Sequence, residues 1–306
     1  MQKYNFKRVL VCEMCGDNSV NHKVLGQRLN QSQGLKPNTK IGISVSILKC
    51  TNCGLIYSNP QPIPFSLQDH YGTPPEEYWK DEYFMWSPSY FNSQIEEAKK
   101  LLNFSKGMKA LDIGAGLGKA MLSMENNGFD AYGLEPSIPF YERAICKMGI
   151  KQEKLLLGSI EELDYELESF DFITFGAVFE HLYEPSKCLT KALKWLKPNG
   201  IVHIEVPSSK WLLSKFINFY FNLIGTNYVT NLSPMHSPFH LYEFDLKSFI
   251  KLSNILNFEI VNYKYDVCAI YYFPQIIHRF LRRFMEVTET GMQLTVYLRK
   301  NAGTFS

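Results

Sequence analysis

Two periods of hydrophobic and polar residues alternate along most of this chain. From residue 109 onward, short apolar runs stand at 109–113, 131–134, 154–157, 170–175 and 201–207. Between and beside them lie segments in which apolar side chains recur every three or four positions, at 93–104, 119–127, 139–148, 186–196 and 245–256. Runs of four to seven residues fit strands, and the intervening period fits amphipathic helices. Strands alternating with helices predict an α/β fold around a parallel sheet. Gly128 is placed to end the helix that starts at Lys119, and Asp245 to cap the one that follows it. In the run 201–207, Ile201, His203 and Glu205 share a face. A central parallel strand is buried on both faces, so His203 is expected to have a hydrogen-bonded partner in the core.

The first of these strands runs into Asp112-Ile113-Gly114-Ala115-Gly116-Leu117-Gly118-Lys119. Glycines let the backbone turn sharply and lie against a ligand at the start of a helix. A dinucleotide fingerprint G-x-G-x-x-G would put its third glycine where Lys119 stands. The pattern Asp112-x-Gly114-x-Gly116-x-Gly118 instead resembles motif I of the class I S-adenosylmethionine (SAM) methyltransferases. That resemblance implies a Rossmann-like, seven-stranded methyltransferase sheet over roughly 95–300, with 258–265 and 293–299 as its closing antiparallel pair. It implies cofactor contacts from Asp112, Gly114, Ala115, Gly116 and Gly118 in the turn. Glu135 and Pro136 end the second strand, where an acid can accept from both ribose hydroxyls; an ordinary strand-end carboxylate is the alternative. Ser159 and Ile160 stand where the family flanks the adenine, with Ser159 in place of the usual acid, and Gly176, Ala177 and Val178 follow the fourth strand.

After that strand, Glu180-His181-Leu182 and Lys197-Pro198-Asn199-Gly200 resemble the small-molecule branch of the family, which includes ubiquinone-type and sugar methyltransferases. The Asn/Asp-Pro-Pro-Tyr and Pro-Cys motifs of base methylation are missing. Methyl transfer to a hydroxyl or an acidic carbon needs an aligned nucleophile and a base of near-neutral pKa, which favours histidine. The candidates are His181 first, then His240 and His236, with Glu180 and Tyr242 beside them. The alternative for His181 is packing its own helix. A metal role for His236 and His240 lacks a third ligand nearby in sequence. Of two insertions, the aromatic 208–240 is expected to close over the acceptor or, less simply, to touch a membrane, and 266–291 carries an aromatic and basic helix at 276–284 that holds an anionic part of the acceptor or presents a solvated face.

The amino-terminal 60 residues have a different character. Cys12-x-x-Cys15-Gly16 and Cys50-x-x-Cys53-Gly54 each form a knuckle that aims two thiolates at one point, and four sulfurs favour zinc in a closed structural site. Disulfides are the competing reading. Alternation at Ile41, Ile43, Val45 and Ile47 suits a small zinc ribbon, and the phrase 53–60 together with the SAM core resembles zinc-containing methyltransferases of sugar and polysaccharide pathways. Cys146, Cys188 and Cys268 are expected as buried small hydrophobes. Residues 1–60 thus form a zinc module, 61–94 an aromatic connector or cap carrying Tyr71, Tyr78, Trp79, Tyr83, Phe84, Trp86, Tyr90 and Phe91, and 95–306 the methyltransferase domain.

Charge refines the partners. The whole chain carries net +2, yet residues 1–60 hold eight Lys and Arg against Glu13 and Asp17, or +6, leaving −4 for the rest. A basic module suits an anionic acceptor such as a nucleotide-sugar, or RNA, although its basic residues are scattered. No signal peptide or bilayer-length apolar run is read, so a soluble, cytoplasmic enzyme is expected. An RNA methyltransferase and a non-catalytic SAM-binding scaffold are the rival functions.

Overall fold

Alternating strands and helices build one seven-stranded sheet whose chain order reverses at its centre. The computed structural model describes residues 4–29, 43–66, 68, 84–230, 232–235, 240–268, 270 and 273–301. Five strands precede the body: β1 (Tyr4–Lys7), β2 (Lys23–Leu29), β3 (Ser44–Lys49), β4 (Ile56–Asn59) and β5 (Gln61–Pro64). Helix α1 (Asn92–Leu102) leads into β6 (Lys109–Ile113), α2 (Lys119–Asn126), β7 (Asp130–Glu135), α3 (Ile138–Cys146) and β8 (Leu155–Leu157). The chain continues through β9 (Phe170–Gly176), α4 (Pro185–Trp195), β10 (Leu196–Pro207), α5 (Leu212–Leu223) and β11 (Tyr242–Glu243). It closes with α6 (Leu246–Leu256), β12 (Phe258–Asp266), α7 (His278–Val287) and β13 (Gln293–Lys300).

The main sheet has the order β12-β13-β10-β9-β6-β7-β8. Strands β8, β7, β6, β9 and β10 pair in parallel, and β13 runs against both β10 and β12. This is the expected Rossmann-like sheet with its reversed final strand. Between β6 and β9 the chain switches direction of winding, and a crevice at the carboxyl ends of the strands follows from such a switch. Apolar side chains fill both faces: Leu111, Ile173, Phe175 and Val202 belong to one buried cluster, and Ala110, Ala131, Phe172 and Ile201 to another. His203 sits in this core fully buried, with Nδ1 2.8 Å from Thr174 Oγ1, so the expected partner is Thr174. Burial lowers its pKa to about 3, which keeps the ring neutral.

Several expectations are corrected. Strand β10 begins at Leu196 rather than 201, because the chain rejoins the sheet through a register shift between Leu196 and Ile201. Cys188 is buried as expected, but Cys146 and Cys268 are exposed; Cys146 lies in the last turn of a surface helix, and neighbouring apolar residues in sequence do not cover it. Tyr71, Tyr78, Trp79, Tyr83 and His236 lie outside the described residues.

The amino-terminal segment is woven into the body. A second sheet has the order β11-β4-β3-β2, so its edge strand comes from residues some 185 positions after β4. Ser186 Oγ at the start of α4 donates to Glu13 Oε2 at 3.2 Å, and Cys12, Met14, Cys50 and Leu55 share a core cluster with Phe175 and Leu189. Among the described residues, no helix is long and apolar enough to cross a membrane.

Candidate active site

A cavity of about 1080 Å³ opens at the carboxyl edge of the sheet, over the switch between β6 and β9. One half is made by the turn after β6 and the end of β7. Gly114, Gly116 and Gly118 have φ of +69°, +56° and +74°, the left-handed region in which a Cβ is costly. Their reasons differ. A Cβ on Gly114 would lie 2.6 Å from Val178 Cγ2, so this glycine lets the turns after β6 and β9 lean on each other. A Cβ on Gly118 would meet Ile150 at 2.6 Å, a packing contact away from the cavity. At Gly116 the nearest atom would be Phe140 Cδ1 at 3.8 Å, which leaves this backbone open to a ligand.

Glu135 ends β7 with its carboxylate buried in the cavity wall. It accepts from Gly116 N at 2.6 Å (Oε2) and from Ser137 N at 2.7 Å (Oε1). Those bonds favour the ionised form, yet burial wins and raises its pKa to about 7. Each oxygen keeps lone-pair capacity beyond the one bond it accepts, on a residue of the cavity lining. Asp112 lies beneath the turn rather than in the lining, and burial followed by the charge of Glu135 raises it to about 8. Gly158, Ser159 and Ile160 form the far wall. Ser159 N and Oγ both donate to Glu162 Oε2 at 3.2 Å, so an acid three residues on occupies the ground where sequence showed only a serine.

The other half follows β9. Gly176, Ala177 and Val178 turn the chain, with Ala177 at φ +54° and its N–H donating to Glu205 O at 3.1 Å. Next comes a short 3-10 turn, Phe179–His181, in which Phe179 and Glu180 are buried. Glu180, His181 and His240 all line the cavity. The two imidazoles meet edge to face with ring centres 4.4 Å apart. They are held together by backbone: Leu241 N donates to Glu180 O at 2.8 Å. Ser233 Oγ lies 2.7 Å from His240 Nδ1. Glu180 is 1% exposed, its Oε2 has no hydrogen-bond partner among the described residues, and burial raises its pKa to about 8.

Of the residues picked from sequence, Gly114, Gly116, Glu135, Pro136, Ser159, Ile160, Gly176, Ala177, Val178, Glu180, His181 and His240 come together in this lining. Asp112, Ala115 and Gly118 support it from behind. Tyr242 does not reach it, being fully buried in β11 with its hydroxyl donating to Tyr183 O at 3.1 Å. Glu205, on the neighbouring strand, instead accepts from Gln94 Nε2 at 3.0 Å. Sequence reasoning passed over Gln68, Ser137, Phe140 and Tyr183, which also line the cavity. Gln68 Nε2 donates to Pro136 O at 2.7 Å; no motif marks a glutamine in a connector. Ser137 was findable, since it caps α3 by accepting from Phe140 N.

The four cysteines form a second centre. Cys12 Sγ and Cys53 Sγ are 3.5 Å apart, Cys15 Sγ and Cys50 Sγ 3.6 Å, and all four sulfurs lie within 4.8 Å of one another. A tetrahedron with zinc–sulfur bonds of about 2.3 Å has edges of about 3.8 Å, so the donor set fits that ion. Each pair closes the same turn, Gly16 N to Cys12 O at 2.9 Å and Gly54 N to Cys50 O at 3.0 Å.

The family described as "Methyltransferase domain" matches residues 111–204. A ubiquinone biosynthesis O-methyltransferase of Bradyrhizobium diazoefficiens is 26% identical over 145 residues, covering 46% of this chain and 54% of the relative. One from Photobacterium profundum is 27% identical over 154 residues, covering 49% and 60%. The chain thus spans little more than half the length of these relatives. Among solved structures, a SAM-dependent methyltransferase from Methanosarcina mazei matches with TM-score 0.48 and 16% identity, over 68% of this chain and 96% of the other. The family match falls on strands β6 to β10, which build the cavity, so residues 111–204 of this chain are similar to a methyltransferase domain.

Proposed function

We propose that the chain transfers the methyl group of SAM to an oxygen or acidic carbon of a small-molecule acceptor, with a nucleotide-sugar or a polysaccharide precursor as the acceptor class. The observation that carries the cofactor half is Glu135, fixed in the cavity lining by Gly116 N and Ser137 N with acceptor capacity left over. In this reading Glu135 accepts from the ribose hydroxyls. The open backbone at Gly116 lies against the methionine part, and Ile160 covers the adenine beside Ser159. Asp112 and Gly118 hold the turn's shape from beneath.

The methyl then emerges toward Glu180, His181 and His240. Transfer is an in-line displacement, and the acceptor's proton has to leave as its nucleophile attacks. A histidine of this wall, His181 first, is the general base. The names of the O-methyltransferase relatives support a hydroxyl acceptor, while the +6 charge of residues 1–60 supports an anionic one.

Cys12, Cys15, Cys50 and Cys53 hold a structural zinc in this reading. The ion ties two turns into one closed site and adds folding free energy there. Four thiols kept for a metal suit a reducing compartment such as the cytoplasm. One zinc per chain by metal analysis, lost in Cys50→Ser, is the expected outcome.

Methyl transfer is tested with isotope-labelled SAM against nucleotide-sugars, phenols and total RNA. Label on the small molecules supports the proposal, and label on RNA alone overturns it. SAM binding with no transfer to any acceptor class leaves a binding scaffold.

A further inference from the structure

We infer that Glu180, His181 and His240 form a binding site for a divalent transition-metal ion in the acceptor wall, distinct from the four-cysteine cluster. Two imidazoles and one carboxylate are the donor set that holds such ions while leaving further positions open. Near neighbours in sequence supply only two of the three. The fold supplies the third by bringing the segment before β11 against the turn after β9, through the bond from Leu241 N to Glu180 O at 2.8 Å.

The geometry meets the requirements one by one. One ligand atom from each residue lies within 4.8 Å of the other two, a spread that an ion about 2.1 Å from each donor can bridge. Glu180 Oε2 is buried and has no partner among the described residues, an arrangement costly for a carboxylate unless a ligand completes it. A ligating imidazole ordinarily has its second nitrogen held by a hydrogen bond that fixes ring and tautomer. Ser233 Oγ, 2.7 Å from His240 Nδ1, holds that side and directs coordination to Nε2. All three residues line the cavity, so open positions on the ion face the acceptor.

What the ion does there rests on the methyl-transfer reading; that the site binds an ion does not. An acceptor hydroxyl bound to the ion loses its proton more readily, and the proton passes to water. The bond from the acceptor oxygen to the methyl carbon forms as the carbon–sulfonium bond breaks, leaving neutral S-adenosylhomocysteine. In this loaded state His181 and His240 are ligands, and the ion takes over the work that an imidazole base performs without it.

Manganese(II) tests the site, because it prefers nitrogen and oxygen donors to thiolates. The 306-residue chain, pre-loaded with zinc, is titrated with Mn²⁺ and followed by electron paramagnetic resonance. One ion per chain is expected, with Kd below about 100 μM. Glu180→Gln and His240→Gln should each weaken it at least about tenfold, and Ser233→Ala, which keeps all three ligands, about tenfold. Thermal unfolding and SAM affinity of each variant, measured in parallel, show whether it is folded. No Mn²⁺ bound at 1 mM, or binding that the folded variants leave unchanged, overturns the inference. Mn²⁺ binding by a chain that transfers no methyl group leaves this site standing and overturns the proposed reaction instead.

Discussion

Two buried glutamates occupy opposite walls of one cavity, and their surroundings differ. Glu135 accepts two backbone hydrogen bonds of 2.6 and 2.7 Å from the turns that flank it. Glu180 is buried as deeply, yet one of its oxygens has no partner among the described residues. The first carboxylate is fixed before any ligand arrives, as a common cofactor allows. The second is held by the surrounding chain with bonding capacity left over. A protein carries that cost where a ligand, proton or ion will complete the group. The cavity therefore has a preorganised end and an end that is finished on binding.

The largest test of this contrast is Glu180→Gln. Methyl transfer should fall about 100-fold or more while SAM affinity stays within about twofold, as judged by initial rates and calorimetry. Equal loss of both would mean that the two ends are not separate. Glu135→Ala should do the reverse. It leaves two buried N–H groups without an acceptor, and the loss of about 2 kcal/mol corresponds to about 30-fold weaker SAM binding.

Acidity gives a third test. Glu135 is raised to about 7, and the ionised form is the one that accepts from ribose. SAM affinity should be nearly constant above pH 8 and drop about tenfold by pH 6, with Glu135→Gln flattening the profile. The sign for the ligand-free fold is opposite. A carboxyl whose folded pKa lies above its unfolded value contributes stability below the unfolded pKa and loses it as pH rises through the folded one. Glu135 at about 7 and Asp112 at about 8 thus make the ligand-free protein less stable from pH 5 to pH 8 in thermal unfolding, an effect that SAM should offset.

The smallest test concerns the glycine turn. Gly116→Ala meets only left-handed strain, about 1–2 kcal/mol. Gly114→Ala adds a 2.6 Å clash with Val178 and should lower the unfolding free energy further, by at least about another 1 kcal/mol. Equal shifts would show that the turns after β6 and β9 do not lean on each other.

How much of this was legible depended on the range of each interaction. The strand–turn–helix around Asp112 to Lys119 and the acid at Glu135 were readable because local geometry demands glycines and a strand end at fixed spacing. The two cysteine knuckles were readable for the same reason, each being a four-residue turn. Ser159 was misleading alone, since its acid, Glu162, arrives from the following turn. Tyr242 read as a pocket residue from its neighbours, but pairing of β11 with β4 carries it into the core. Cys146 and Cys268 sat in apolar company along the chain without being covered in space.

The sequence by itself determined the class of fold and the four-sulfur centre and pointed to the proposed methyl donor, because those depend on short motifs whose backbone geometry is local. Only the tertiary structure decided which residues make the cavity wall around Glu180. Glu180 and His240 are sixty positions apart and meet through one backbone hydrogen bond, Leu241 N to Glu180 O. A single sequence does not encode such a meeting as a pattern, since long-range contacts depend on the packing of the whole chain rather than on spacing.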